Sequence, residues 1–184
     1  MTPLLKRLFT VDEFQRMAEV GILTERDRVE LIEGEIIQMA AMGTRHAACV
    51  RRLIRLFSDT LSDRVLIDAQ NPVELGPFSL PQPDIALLRL RDDLYESGHP
   101  QPEDILLIVE VADTPVDSDR NLKIPLYART GIVEVLLINL NQNCIEVSRQ
   151  PTTQGYQQIQ IYQPDRTLTL QAFPEFSVQC DRTL

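Results

Sequence analysis

The sequence predicts a single α/β domain, of the α+β kind, in which a central mixed sheet is flanked by helices. Three observations carry this reading. Residues 104–112, Asp-Ile-Leu-Leu-Ile-Val-Glu-Val-Ala, are apolar at both parities, as in a strand covered on both faces. A helical pattern ending near Arg129 and a second apolar strand at 133–140 follow it, in the order of a strand, a crossover helix and a strand. Ala47, Val50, Leu53, Ile54, Phe57 and Leu61 recur at three and four residues, which gives a long amphipathic helix able to cover one sheet face.

From the N-terminus, Thr10 is a good helix cap, and Glu13 three residues later completes a capping box. Phe14, Met17 and Ala18 share one face of that helix. Two short runs within 28–39 flank Glu33-Gly34. The glycine supplies the positive φ of a two-residue turn, so a β-hairpin is expected there. The long helix spans Thr44–Leu61, with Arg51, Arg52 and Arg55 largely on its other faces. Strands are expected at 65–67, at 71–76 before a Gly-Pro turn, and at 81–88, entered straight after Pro81 and Pro83; 92–102 reads as a loop. After the apolar strand, Asp117-Ser118-Asp119 caps the crossover helix, Pro125 inside it removes a hydrogen bond and kinks it, and Gly131 ends it. Strands at 144–149, 157–162 and Thr167–Leu170 complete the chain.

With 184 residues and no linker or repeat, the chain reads as one domain over 1–184. Aromatic residues are 5% with no Trp, so the core must be built from Leu, Ile and Val. The net charge of −9 argues against a broad electrostatic DNA-binding surface, though not against one local basic patch. It also suits a cluster of metal-binding carboxylates. Cys49, Cys144 and Cys180 are odd in number and contain no CxxC pair, which argues against a disulfide framework or a zinc site and points to a reducing cytoplasm. No signal-peptide core and no run of membrane-spanning length is apparent.

Glu110 is the sharpest anomaly, a carboxylate within the most apolar run of the chain. Burial of an unpaired carboxylate is costly, so a metal ion, a cation or a set of donors must compensate. The bland alternatives are a strand-end Glu that reaches solvent, or a structural salt bridge. Asp84 follows a proline at the entry of a strand and could equally be a turn Asp. Lys123, on the crossover helix, could point inward to Glu110 or be an ordinary surface lysine. Arg51, Arg52 and Arg55 could meet phosphates or form a solvated helix face.

Pro83-Asp84-Ile85-Ala86, Ile108-Val109-Glu110-Val111-Ala112-Asp113 and the stretch from Asp119-Arg120-Asn121-Leu122-Lys123 to Gly131-Ile132 together resemble the Uma2 family. These are restriction-endonuclease-like proteins abundant in cyanobacteria, also described as a domain of unknown function, DUF820. Glu30-Leu31-Ile32-Glu33-Gly34-Glu35-Ile36 is similar to the family's opening hairpin, and His46 falls where the family places a His just inside the next helix. The resemblance covers nearly the whole chain and is most specific between Glu110 and Gly131.

It implies a PD-(D/E)XK nuclease core that hydrolyses DNA phosphodiester bonds with Mg²⁺ or Mn²⁺. Asp84 and Glu110 would be the metal ligands, with the carbonyl of Val111 as a third. The usual Lys two residues beyond the Glu is Ala112 here, and Lys123 on the neighbouring helix is the matching replacement. Glu30 and His46 would be further active-site residues, and a homodimer is expected by analogy with the superfamily. Val135-Leu136 stand where the family often has Tyr-Trp, and Asn139 where an Asp is frequent. Two other readings stay open: a catalytically inactive binding or regulatory module on the same fold, and a metal-dependent hydrolase of a smaller phosphorylated substrate.

Overall fold

Thr10 accepts the N–H of Glu13, and Glu13 accepts the N–H of Thr10, so the expected capping box opens the first helix, α1 (Val11–Glu19). The computed structural model describes residues 6–24, 26–113 and 119–182. β1 (Val29–Ile32) and β2 (Glu35–Gln38) form the expected antiparallel hairpin. Glu33 and Gly34 both have positive φ, 49° and 80°, which is the mirror-image turn that a two-residue hairpin requires. Gly34 has a second reason to be glycine: a Cβ there would lie 2.5 Å from that of Leu8.

The remaining elements build one sheet and its covers. α2 spans Thr44–Leu61, and β3 (Leu66–Asp68), β4 (Ile85–Leu88) and β5 (Ile105–Ala112) follow. A π-helical turn, Asp119–Lys123, leads into α3 (Ile124–Arg129). Then come β6 (Glu134–Asn139), β7 (Cys144–Thr152), β8 (Gly155–Tyr162), β9 (Thr167–Leu170) and β10 (Phe173–Gln179). The six-stranded sheet has the order β3-β4-β5-β6-β7-β8. β5 and β6 are parallel, and every other neighbouring pair is antiparallel. The sheet is therefore mixed, with β5 in its interior. β9 and β10 make a separate hairpin.

Both faces of β5 are covered, as its unbroken apolar pattern required. Leu53 and Phe57 of α2 pack with Leu107, Val109, Leu136 and Ile138 on one face, where the β9–β10 hairpin closes the core with Phe173, Phe176 and Val178. Leu126 and Tyr127 of α3 pack with Ala86, Ile108 and Val135 on the other. Each such side chain taken from water stabilises the fold by roughly 1.5–3 kcal/mol.

Residues 71–76 and the crossover helix depart from expectation. Residues 71–76 are extended but are not a strand. Val73 and Leu75 are buried, yet their N–H groups bond to Pro81 and Ser79, and that of Glu74 to Pro100, in a loop outside the sheet. The strand expected straight after Pro81 and Pro83 is entered at Ile85, since those prolines offer no ladder donor. Pro125 does not kink a continuous helix. It occupies the first turn of α3, where its missing N–H is not needed, and the irregularity lies before it in the π turn. β10 was not anticipated at all. Of the expected cap Asp117-Ser118-Asp119, the first two residues lie outside the described ones and Asp119 is already within the π turn. Gly131 does end α3, at φ 85°, with Ile132 N–H bonded to Tyr127 O at 2.9 Å. Among the described residues no helix is long and apolar enough to cross a membrane.

A second buried carboxylate fixes the sheet's far side. Glu134 has no exposed surface and sits opposite Arg149 in the β6–β7 ladder. It accepts from Arg149 Nε at 2.6 Å and from the Gln171 N–H at 2.8 Å, and Arg149 also donates to Thr169 O at 2.6 Å. Burial pushes the Glu134 carboxyl above its ordinary value, against the Gln171 and Arg149 donors that pull it down. Glu134→Ala would strand the Arg149 guanidinium, and urea denaturation should then show a loss of about 3–5 kcal/mol. A loss under about 1 kcal/mol, the range of exposed pairs, would show that this pair is not structural.

The loop before β5 holds Leu94 and Tyr95 at positive φ, 49° and 65°. Asp93 organises it, accepting from Ser97 Oγ at 2.6 Å, from Arg91, and from the Tyr95 N–H. The Ser97 bond, followed by those from Arg91 and Tyr95, lowers the Asp93 carboxyl to about 2. Its contribution to loop order is thus complete above the ordinary Asp value and is lost as pH falls through about 2. A carboxyl ¹³C titration of Asp93 by NMR should show that low midpoint; an unshifted one would remove this account of the loop.

Candidate active site

The β4–β5 register decides where the acidic residues meet. Ile85 pairs with Val109, so Asp84 arrives one step further on, beside Glu110. At that step β4 has not yet begun, and the Asp84 side chain replaces its backbone as the acceptor: Oδ2 takes the Val111 N–H at 2.8 Å. The same oxygen lies 2.9 Å from His46 Nε2, which the first turn of α2 brings in from the other side. Asp84 Oδ1 has a long 3.5 Å contact with Gln70 Nε2.

Glu110 is 2% exposed and is held from the π turn and α3. Tyr127 donates its hydroxyl to Glu110 Oε1 at 2.5 Å, and the Lys123 ammonium lies 3.4 Å from the same oxygen. Lys123 is itself buried, at 6% exposure. Its Nζ is 3.1 Å from Glu30 Oε2 on β1 and donates to Gln82 O at 3.4 Å. Glu30 Oε2 also accepts the Gln82 N–H at 3.0 Å. The ammonium is thus shared between two carboxylates that come from different sheets.

Asp84, Glu110, Val111, Lys123, Glu30 and His46 all line one cleft of about 1030 Å³. The structure therefore gathers every residue of the expected catalytic and metal-binding set, together with both weaker additions. It does not bring in the three arginines. Arg51, Arg52 and Arg55 lie on the exposed face of α2 outside the cleft lining, and Arg55 faces Asp59 at 3.7 Å.

The cleft lining carries four carboxylates, Asp84, Glu110, Glu30 and Asp113, against the Lys123 ammonium, the Arg28 guanidinium and one imidazole. A cation would balance the excess. Among the described residues no three His, Cys, Asp or Glu side chains converge as a ready-made metal cage. A metal here would rest on two carboxylates, a main-chain oxygen and water. That incomplete, all-oxygen donor set fits Mg²⁺ or Mn²⁺, which keep several waters, better than a metal that needs a full protein cage.

Sequence reasoning missed Tyr127, Gln82 and Gln70. Tyr127 had a usable signal: it lies four residues after Lys123, on the same helical face. Gln82 and Gln70 act through loop geometry that no periodicity encodes. Arg28 and Asp113 also line the cleft, and Asp113 pairs with Arg45 at 3.0 Å. The departures from the family pattern are structural. Val135 and Leu136 fill the two cores, and Asn139 caps the β6–β7 turn by accepting the Gln142 N–H at 2.9 Å.

The Uma2 family model, described as "Putative restriction endonuclease", matches residues 11–182. Among solved structures, one described as "a putative nuclease belonging to DUF820 from Anabaena variabilis ATCC 29413" shares the fold with a TM-score of 0.73. The two are 18% identical, over 95% of this chain and 97% of that one. No curated protein matches the sequence.

Removing the shared cation tests how tightly the cleft is built. Lys123→Ala leaves Glu30 and Glu110 buried together, and denaturation at neutral pH should register a loss of about 3–5 kcal/mol. A near-neutral substitution would mean that the ammonium is not the cleft's internal counter-charge.

Proposed function

This chain belongs to the Uma2 family, and from that premise we propose that it is a metal-dependent endonuclease that hydrolyses DNA phosphodiester bonds. The observation that carries the reading is the convergence at the ends of β4 and β5. Asp84 bonds to the N–H of Val111, the residue beside Glu110, and Lys123 Nζ stands 3.4 Å from Glu110.

Asp84, Glu110 and the Val111 carbonyl would hold one Mg²⁺ or Mn²⁺. When bound, that ion would supply Lewis-acid polarisation of a phosphoryl oxygen and ease deprotonation of a water. The remaining work belongs to the protein. His46 and the Val111 N–H aim the Asp84 carboxylate into the cleft. Tyr127 orients Glu110. Glu30 and Gln82 fix the Lys123 ammonium, which stabilises negative charge as it grows on the phosphate and orients the attacking water. In the reaction the water oxygen bonds to phosphorus, one P–O ester bond breaks, and a proton passes to the departing alkoxide. Arg51, Arg52 and Arg55 would meet phosphates further along the same strand, outside the cleft.

One observation favours a second reading, a binding or regulatory module with an idle site. Lys123 is engaged by both Glu30 and Glu110 as an internal ion pair, and Ala112 stands where the usual catalytic Lys would be.

Incubation of supercoiled, linear and branched DNA with Mg²⁺ or Mn²⁺ separates the two. We expect nicking by the wild-type chain and a fall of at least about 100-fold for Glu110→Ala and Asp84→Asn, with circular dichroism to show that each variant is folded. Equal product from wild type and both variants would end the nuclease reading in favour of the idle module.

A further inference from the structure

The two oxygens of Asp84 are not equivalent. Oδ2 accepts the Val111 N–H at 2.8 Å and faces His46 Nε2 at 2.9 Å. A carboxylate oxygen has room for about two such partners, so a further ligand must come to Oδ1. The group that stands at Oδ1 is the carboxamide of Gln70. Its Nε2 lies 3.5 Å from Oδ1 and 2.8 Å from Met42 Sδ, and all three residues line the cleft. The backbone aims that side chain. Gln70 has a φ of 57°, in the left-handed region that side chains other than Gly and Asn rarely adopt. Its N–H donates to Asp84 O at 3.2 Å, and its carbonyl accepts from Gln82 Nε2 at 2.6 Å. The loop after β3 is thus laced to Gln82-Pro83-Asp84, the stretch that delivers the carboxylate. Such strain persists where the surroundings over-determine it, and it gathers at functional sites. The two backbone bonds would hold with any side chain. The polar contacts of the glutamine side chain itself are with Asp84 and Met42, in the cleft.

We infer that Gln70 is a positioning residue for Asp84: its carboxamide holds Oδ1 as the one Asp84 atom that meets a divalent ion. The inference rests on the metal-dependent reading of the same cleft. The division of labour follows from the two oxygens. Val111 and His46 anchor Oδ2, Gln70 takes one side of Oδ1, and the other side of Oδ1 is left for the ion. A neutral amide suits this place. An ammonium or guanidinium there would compete with the ion through its own charge, whereas an amide at 3.5 Å, the long limit of a hydrogen bond, directs the oxygen without neutralising it. A ligand whose direction is set before the ion arrives has less freedom to lose on binding. Groups that hold metal ligands in this way are typically worth roughly 10–100-fold in metal affinity.

The test is a titration of the full chain with Mn²⁺ alone, read by the loss of the free-ion EPR signal, with the Tm of each variant measured alongside. Asp84→Asn sets the background of weak sites on the acidic surface. Gln70→Asn keeps a carboxamide and accepts the left-handed backbone more readily, but it is one methylene shorter and draws away from Oδ1. Gln70→Met keeps the length and removes the donor. Both should bind Mn²⁺ at least about 10-fold more weakly than the wild type, and Gln70→Asn should do so with a Tm no lower than the wild type's. Wild-type affinity in either variant would overturn the inference alone. So would a loss of affinity in Gln70→Asn matched by a fall in its Tm, since that is what a merely structural loop residue would give. A wild type that binds no Mn²⁺ above the Asp84→Asn background would overturn it together with the metal-dependent reading. Binding is read without DNA, so a chain that takes up Mn²⁺ and does not nick fails the nuclease reading and not this one.

Discussion

The Lys123 ammonium is the constraint around which the cleft is assembled. It sits between Glu30 on β1 and Glu110 on β5 and also bonds to the Gln82 carbonyl in the loop before β4. Four stretches far apart in sequence are thus tied to one buried charge. The hairpin β1–β2 is not part of the large sheet, and this contact helps to tie it to the rest of the fold, together with the Leu31–Leu80 bridge, the Glu30 bond to Gln82 and the Arg129–Glu33 pair. A buried ion pair is weak evidence for stability, because desolvation offsets most of the attraction. On the proposed reading, the gathering of four carboxylates and a lysine in one cleft reflects what they do together rather than what they add to folding.

How much of this was legible depended on whether the signal was local. Glu110 stood out because an acid interrupts an apolar run, and that contrast needs no knowledge of the fold. The capping box at Thr10 and the turn at Glu33-Gly34 were equally local, and both formed as read. Glu134 is as deeply buried as Glu110 and drew no notice, because it stands at the start of its strand, where an acid looks solvent-bound. Its partner Arg149 becomes evident only once the β6–β7 register is known. Buried carboxylates are therefore not in themselves a mark of function in this chain. One has a dedicated guanidinium opposite it in the ladder, and the other shares an ammonium with a second acid.

The errors have a common cause. Residues 71–76 alternate like a strand and bury Val73 and Leu75, so their pattern reports burial correctly. It cannot report that the N–H groups find Pro81, Ser79 and Pro100 instead of a neighbouring strand. At the crossover helix the apolar pattern implies a regular helix, while the chain inserts a π turn at Asp119–Lys123. A π turn widens the helix by one residue and so changes the direction in which the following side chains point. Lys123 closes that turn and Tyr127 follows one α-helical turn later, and both reach Glu110. The irregularity that periodicity failed to show is thus placed where the candidate chemistry is.

On the proposed reading, the acidity of the chain and a polyanionic substrate look opposed, and local charge reconciles them. Electrostatic attraction to DNA depends on the cations that face the phosphates, not on the sum over the molecule. In the cleft Lys123 and Arg28 stand among four carboxylates, so the local balance is negative, and on the proposed reading a divalent ion would offset it. On the proposed reading, a phosphate would be attracted to this cleft only after that ion is bound, which orders the two events. The acidic surface elsewhere then disfavours the non-specific sliding contacts that a basic nuclease makes. Recognition would rest on the few groups at the cleft rather than on bulk charge.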